Sequence, residues 1–183
     1  LFNIELLNDG NKLNYKLAEL SMLNSIERMN FPSYLMRLNS GTSLEAMNRV
    51  IDVNLVAMMI GTRLGIELMH QRGNLGIVLN TASIAAFNPM PADPAYAASK
   101  AAIVNFTQSC APIAASHGVR VMAICPGVTD TAIVPHDAEW LKPVLARVEF
   151  LTPDEIVAVM LEVIGDETLS GDYVRVDNRA LTD

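Results

Sequence analysis

From Thr42 onward, hydrophobic and polar positions follow first a helical and then a strand-like spacing. Thr42 with Glu45 three residues later forms a capping-box signature. The apolar residues that follow are spaced three or four apart: Met47, Val50, Ile51, Leu55, Met58 and Met59. This spacing predicts a helix that continues to about Arg72 and ends at Gly73. The short apolar run at residues 75–79 then predicts a strand covered on both faces.

The remainder of the chain continues this alternation of helices and strands. It predicts a loop over residues 81–94, a helix over 94–116, a strand over 119–124, a helix around Trp140, a helix over 152–165 and a strand over 173–176. Gly118 is expected to end the second helix, and Pro126 and Gly127 to end the strand before them. The order predicts an α/β fold with a doubly wound, Rossmann-like parallel sheet.

The first 41 residues differ in character from the rest. They contain seven Asn, scattered apolar residues and no clear strand-turn-helix unit. One helix is predicted, over residues 11–29. We therefore treat residues 1–41 as an atypical N-terminal segment and residues 42–183 as the catalytic portion of a nucleotide-binding fold.

The amino-acid composition narrows the classes of protein to which the chain could belong. The chain is 51% hydrophobic and 18% charged, as compact domains are, and its net charge of -7 argues against a nucleic-acid partner. No apolar stretch reaches the ~20 residues of a membrane span, and charges interrupt the apolar residues at the amino end, which does not resemble a signal peptide. Two cysteines, Cys110 and Cys125, are interpreted as thiols in a reducing cytosol, which predicts a cytoplasmic protein.

A tyrosine and a lysine on the second long helix carry candidate chemistry. Tyr96 and Lys100 are four residues apart, so their side chains project from one helix face. A neighbouring ammonium stabilises the phenolate and is expected to lower the Tyr96 pKa from its ordinary value of ~10. Such pairs are also common as solvated surface contacts. Ser83 follows a predicted buried strand at the sheet edge where open α/β sheets bind ligands, although a lone serine there is also a common cap.

Four short strings stand in order around these residues. They are Asp-Val-Asn at 52–54, Asn-Thr-Ala-Ser at 80–83, Tyr-Ala-Ala-Ser-Lys-Ala-Ala at 96–102 and Cys-Pro-Gly-Val-Thr-Asp-Thr at 125–131. In order and spacing they resemble the motifs of the short-chain dehydrogenase/reductase family. The resemblance extends from Thr42 to the last predicted strand. It implies an NAD(P)-dependent oxidoreductase that transfers hydride between a nicotinamide cofactor and a secondary alcohol or ketone.

The resemblance also implies a role for each matching residue. Tyr96 is the proton donor and acceptor, Ser83 holds the substrate oxygen, Lys100 binds the ribose hydroxyls and tunes Tyr96, and Asn54 anchors a water. The residues implied to line the nicotinamide, besides Tyr96 and Lys100, are Pro126, Gly127, Val128 and Thr131. The closing segment at residues 170–177 resembles that of hydroxyprostaglandin-dehydrogenase-type members, which favours NAD over NADP. No metal site is expected, because His70, His117 and His136 have no suitable spacing.

One part of the family pattern is absent. The family begins with a glycine-rich Thr-Gly-x-x-x-Gly-x-Gly turn that binds the cofactor pyrophosphate, whereas this sequence has only Gly10 and Gly41 before Gly61. Its first strands are thus missing or replaced. Either the sequence belongs to a longer enzyme, or the chain has become a non-catalytic binding or scaffold protein that lost cofactor binding. The first is favoured because all four catalytic positions are retained.

The expected partners are a small molecule and further copies of the chain. Pro89, Met90 and Pro91 lie between Ser83 and Tyr96, where they favour an apolar alcohol or carbonyl substrate. The family implies a homodimer or homotetramer formed through the two long helices, and the alanines of the second would allow close approach. The alternative is that these alanines pack only on the sheet.

Overall fold

The computed structural model describes residues 44–73, 75–91, 93–132, 134 and 142–181. The chain divides into two compact units, Leu1–Pro32 and Ser33–Asp183, and every described residue lies in the second. The Thr42 cap, the helix over residues 11–29 and the helix around Trp140 fall outside the described residues. The boundary after residue 41 stays a prediction.

A parallel sheet forms the centre of the described part. Its strands are β1 (Gly76–Thr81), β2 (Val119–Pro126) and β3 (Asp172–Val176), in the order β1-β2-β3. Gly76 pairs with Val119, and Asp172 pairs with Met122. The middle strand is buried on both faces, as a strand between two helical layers must be. The predicted doubly wound α/β fold is confirmed, with three strands in the described residues.

The first predicted helix is present but interrupted. It consists of α1 (Leu44–Ile51), a π-helical turn over Asp52–Val56 and α2 (Ala57–Gln71). The predicted stop is confirmed, because Gly73 adopts φ of 64°, a left-handed conformation that favours glycine. π-Helical turns are rare and frequently occur at functional sites, and this one contains Asn54.

The prediction of one helix over residues 94–116 is wrong. The structure has α3 (Pro94–Ser109), a break, and α4 (Ile113–His117). Pro112 explains the break, because proline lacks the N–H that would continue the helix and its ring clashes with the preceding turn. Gly118, at φ of 69°, then ends α4 in the left-handed conformation and leads into β2.

Helices cover the two faces of the sheet. Val121, Ala123 and Cys125 of β2 pack on the side of α2 and α3, whereas Met122 and Ile124 pack on the side of α6 (Pro153–Gly165). Short α5 (Lys142–Leu145) precedes α6. The helix predicted over residues 152–165 is confirmed, and α6 begins with a capping box, since the Thr152 Oγ1 accepts from the Glu155 N–H at 3.2 Å and the Glu155 carboxylate accepts from the Thr152 N–H at 2.7 Å.

Candidate active site

Ser83 lies at the carboxyl edge of the sheet, as predicted. It lies two residues after Thr81, the last residue of β1, and caps a 3-10 turn over Ile84–Ala86, where its Oγ accepts a hydrogen bond from the Ala85 N–H at 3.1 Å. The same Oγ lies 3.5 Å from the carbonyl oxygen of Pro126, at the end of β2. The hydroxyl is thus fixed between the carboxyl ends of two adjacent strands.

Tyr96 reaches this edge from the first turn of α3. Pro94 occupies the first helical position, and the carboxylate of Asp93 caps the helix by accepting from the Tyr96 N–H at 3.1 Å. A hydrogen bond joins the side chains of Ser83 and Tyr96. The two hydroxyls therefore meet although thirteen residues separate them in the sequence.

Lys100 projects from the same face of α3 one turn later. Its Nζ donates to the Thr81 carbonyl oxygen at 3.0 Å and lies 5.5 Å from the centroid of the Tyr96 ring. Burial of the ammonium lowers the pKa of Lys100 to about 8, and the charge of a Cys125 thiolate acts in the opposite direction. The lysine thus connects α3 to the end of β1 beside the tyrosine.

The predicted direction of the Tyr96 pKa is wrong for this arrangement. Burial raises the pKa of Tyr96, the hydrogen bond with Ser83 lowers it, and the negative charge of Asp93 raises it further. The net effect is an increase. The physical reason is burial of the phenol, which the Lys100 ammonium, 5.5 Å from the ring centroid and bound to the Thr81 carbonyl, does not offset.

Asn54 is connected to the same helix through a serine. Its Nδ2 donates to the Ser99 Oγ at 3.2 Å, and that hydroxyl donates to the Tyr96 carbonyl oxygen at 2.7 Å. Ser99 is fully buried, and its part in the site was not predicted. The four predicted catalytic residues, Asn54, Ser83, Tyr96 and Lys100, are thus joined through contacts around the start of α3. The water predicted at Asn54 stays a prediction.

The turn after β2 is held by a side chain that the sequence analysis missed. Asn178 accepts from the Val128 N–H at 2.7 Å and donates to the Val128 carbonyl oxygen at 2.7 Å. A Cβ at Gly127 would overlap the Asn178 amide, so the close approach requires glycine there. Pro126, Val128 and Thr131 follow one another around this turn, and Thr131 Oγ1 donates to the Thr129 carbonyl oxygen at 3.4 Å. The one indication of this role in the sequence is that Asn178 is a polar residue just after β3.

The histidines and cysteines in the described ranges form no second candidate site. The rings of His70 and His117 pack with centroids 4.6 Å apart, and His136 lies outside the described residues. No group of three or more His, Cys, Asp or Glu side chains there could bind a metal ion, and Cys110 and Cys125 are both free thiols. Nor does any helix of that part have the length and apolar character needed to span a membrane.

Sequence comparisons give consistent results for most of the chain. The family model described as short chain dehydrogenase matches residues 36–142. Human 15-hydroxyprostaglandin dehydrogenase [NAD(+)] is 32% identical over 155 residues, which cover 75% of this chain and 58% of that protein. Bovine 3-hydroxyacyl-CoA dehydrogenase type-2 is 32% identical over 155 residues, covering 79% of this chain and 59% of the relative. The chain therefore spans less than two thirds of the length of these relatives.

Solved structures with the same fold include two dehydrogenases. The crystal structure of 3-hydroxyacyl-CoA dehydrogenase type-2 from Mycobacterium avium aligns with a TM-score of 0.67 at 26% identity, covering 79% of this chain and 60% of that one. 4-Hydroxyisoleucine dehydrogenase complexed with NADH also aligns with a TM-score of 0.67 at 26% identity, covering 78% and 62% of the two chains.

Proposed function

Because the chain belongs to the short-chain dehydrogenase family, we propose that it acts as an NAD(P)-dependent oxidoreductase on a secondary alcohol or ketone. The observation that carries the proposal is the junction of Ser83, Tyr96 and Lys100 at the carboxyl edge of a parallel sheet. Ligands bind at this edge in open α/β sheets. The names of the relatives, which are dehydrogenases of hydroxylated compounds, support the same reaction class.

Proton transfer is assigned to Tyr96. When a ketone is reduced, negative charge develops on its oxygen, and two hydroxyl donors at that oxygen stabilise the charge. The Ser83 hydroxyl holds the substrate oxygen, while the Tyr96 hydroxyl gives up its proton to it. In the oxidation direction the same tyrosine removes the proton from the alcohol. The raised Tyr96 pKa keeps the phenol protonated at neutral pH, the form that reduction needs.

Lys100 and the turn after β2 are proposed to bind the nicotinamide end of the cofactor. The Lys100 ammonium and the Tyr96 hydroxyl supply donors suited to ribose hydroxyls, and Pro126, Gly127, Val128 and Thr131 line the ring. When bound, the cofactor supplies or accepts the hydride. NAD is favoured, because the human relative is named for NAD(+) and a solved neighbour is complexed with NADH.

The proposal also covers the class of substrate, the oligomeric state and the cellular location. Pro89, Met90 and Pro91 lie in the loop between Ser83 and Tyr96, and their apolar character favours an apolar alcohol or carbonyl as substrate. A homodimer or homotetramer is proposed because α2 and α6 carry exposed apolar side chains. A cytoplasmic location is proposed because both cysteines are free thiols.

The decisive experiment is a titration of the 183-residue chain with NADH and NADPH, followed by assays on secondary alcohols and ketones. Tyr96→Phe removes one hydroxyl and is expected to lower kcat/KM by about 10²–10⁴-fold while leaving NADH affinity within a few-fold. Tyr173→Phe is the matched control, because Tyr173 packs on Phe87 with ring centroids 4.9 Å apart and belongs to no proposed catalytic contact. Its kcat/KM should equal that of the wild type.

A second candidate function is a non-catalytic binding or scaffold protein on the same fold. The 183 residues of the sequence contain no glycine-rich turn of the kind that binds a pyrophosphate, so cofactor binding by this chain is the point on which the two candidates differ. Failure of the chain to bind either cofactor would support this candidate and overturn the dehydrogenase proposal. Binding of one cofactor without turnover of any alcohol or ketone would overturn the catalytic role alone.

A further inference from the structure

Asp93 is the one buried carboxylate among the residues that the structure describes. The residue is 2% exposed and stands immediately before Pro94, the first residue of α3. Its Oδ1 accepts from the Tyr96 N–H at 3.1 Å. The carboxylate therefore caps the helix on the backbone of the very residue to which proton transfer is assigned.

Capping alone does not require a carboxylate at this position. Serine, threonine and asparagine cap helices about as well, and α6 begins with Thr152 in that role. A buried charge costs free energy that a neutral cap avoids. A residue that keeps the charge despite this cost is a candidate for an electrostatic role, particularly one turn from a catalytic phenol.

We propose that Asp93 is a positioning residue for Tyr96, which fixes the first turn of α3 and places a negative charge beside the phenol. The inference rests on the proposed function, since it assigns Asp93 the task of holding Tyr96 in its proton-donating form. Charge repulsion between a carboxylate and a phenolate disfavours loss of the Tyr96 proton. The Asp93 charge therefore keeps Tyr96 in its protonated, proton-donating form up to a higher pH.

Ionisable groups on three elements interact, directly or through one another, with Tyr96. Lys100 on α3 lies over the Tyr96 ring, Cys125 on β2 interacts with Lys100, and Arg175 and Asp177 at the end of β3 act on Cys125. The loop at residues 84–91 contributes no ionisable side chain. Burial raises the pKa of Asp93 to about 6, partly offset by the Tyr96 N–H, so the carboxylate is charged at neutral pH and loses its charge below about pH 6.

The test is a spectroscopic titration of Tyr96 that needs neither cofactor nor turnover. Phenolate absorbance is followed against pH in the full chain, and the Tyr96→Phe curve is subtracted to isolate Tyr96 from Tyr15, Tyr34 and Tyr173. Asp93→Asn and Asp93→Ser both keep a capping side chain and remove the charge. Both are expected to lower the Tyr96 pKa. In an active preparation, both should also move the pH profile of alcohol oxidation to lower pH.

A matched control separates charge from capping. Thr152→Ala removes the cap of α6 and should reduce stability without moving the Tyr96 titration. An unchanged Tyr96 pKa in folded Asp93→Asn and Asp93→Ser would overturn the proposal and leave Asp93 a cap only.

The wild type provides a measurement that does not depend on how the variants fold. The Asp93 carboxyl resonance and the Tyr96 ring resonances, followed by NMR, should both shift as Asp93 ionises near pH 6, because the phenol senses the neighbouring charge. Tyr96 ring resonances that do not move as Asp93 ionises would overturn the proposal. These readouts persist if the chain binds no cofactor, so failure of the dehydrogenase proposal is distinguishable from failure of this one.

Discussion

At the residue scale, Asp93 and Lys100 flank Tyr96 along α3, three residues before it and four residues after it. Burial raises the pKa of Asp93 to about 6 and lowers that of Lys100 to about 8. In both cases burial stabilises the neutral form relative to the charged form, because a charge loses the favourable hydration that water provides. The ionisation of both groups is therefore predicted to change within the pH range in which a dehydrogenase is assayed.

The stability of the chain should report the Asp93 ionisation. The folded pKa of about 6 lies above the ordinary value of 3.8, so the folded state binds more protons between those pH values and stability falls as pH rises through them. Asp93→Asn should abolish this fall. Between pH 4 and pH 7 its free energy of unfolding should therefore increase by up to about 3 kcal/mol relative to that of the wild type. Urea unfolding of both proteins at several pH values measures it. A constant difference between them would contradict the assigned ionisation.

The Lys100 ammonium predicts a pH-dependent affinity for the cofactor. As pH rises through about 8, the side chain loses its charge and with it a donor for the ribose hydroxyls. NADH affinity of the wild type should therefore weaken between pH 7 and pH 9. Lys100→Arg keeps its charge over this range and should show a flatter profile, even where its affinity at pH 7 is lower. Equal pH profiles in fluorescence titrations would contradict the prediction.

At the element scale, a chain of buried hydrogen bonds joins β1 to the two helices that cover it. Thr62 Oγ1 on α2 donates to the Asn80 Oδ1 at 2.9 Å, and the Asn80 Nδ2 donates to the Thr107 Oγ1 on α3 at 3.1 Å. All three side chains are buried. Asn80 thus sets the spacing of α2 and α3 three residues before Ser83.

Removal of one partner of these hydrogen bonds should lower the free energy of unfolding, because the other partner stays buried without a hydrogen bond. Thr107→Val preserves shape but leaves the Asn80 amide without its acceptor, for an expected loss of about 1–3 kcal/mol in unfolding free energy. Thr168→Val is the matched control, because the Thr168 hydroxyl donates to the Asp166 carboxylate on the exposed surface, where water can replace it. Its cost should stay near or below about 0.5 kcal/mol in urea denaturation. A Thr107→Val protein as stable as the control would show that the amide finds another partner.

The sequence predicted elements better than the contacts between them. Helical and strand spacing and the glycine stops at Gly73 and Gly118 are local signals, and the structure confirms them. The break at Pro112 was missed because the alanine-rich pattern continues past it. Asn178 and Ser99 were missed because the partner of each lies far away, 50 residues for Asn178 and 45 residues for Ser99. Such contacts leave no periodic trace in the sequence.

At the scale of the whole molecule, the motif spacing predicted which residues meet, but not their electrostatic balance. Parallel strands bring their carboxyl ends to one edge, so Ser83 and the turn after Pro126 had to be neighbours. The raised pKa of Tyr96 results first from burial of the phenol and then from the charge of Asp93, a carboxylate that the motif did not single out. Both are outcomes of packing.

Two exposed apolar stripes remain on the surface of the described part. The first, called the α2 stripe, begins with Val56 at the end of the π-helical turn and continues with Ile60 and Leu64 on α2; these residues are 41%, 54% and 59% exposed. On α6, the stripe consists of Val157, Leu161 and Ile164. A helix that exposes such a row is expected to bury it against another surface, and a symmetric contact between copies of the chain is the common solution.

The α2 stripe supplies the last prediction. Leu64→Glu places a charge in the proposed contact and should convert a homodimer into a monomer at micromolar concentration, measured by light scattering after size exclusion. Arg63→Gln is the matched control, because Arg63 is exposed on the same helix and pairs with Glu67 four residues away at 2.8 Å. It should leave the mass unchanged. A wild type that is already monomeric, or a Leu64→Glu protein of unchanged mass, would show that α2 does not form the contact, and Leu161→Glu then tests whether α6 forms it instead.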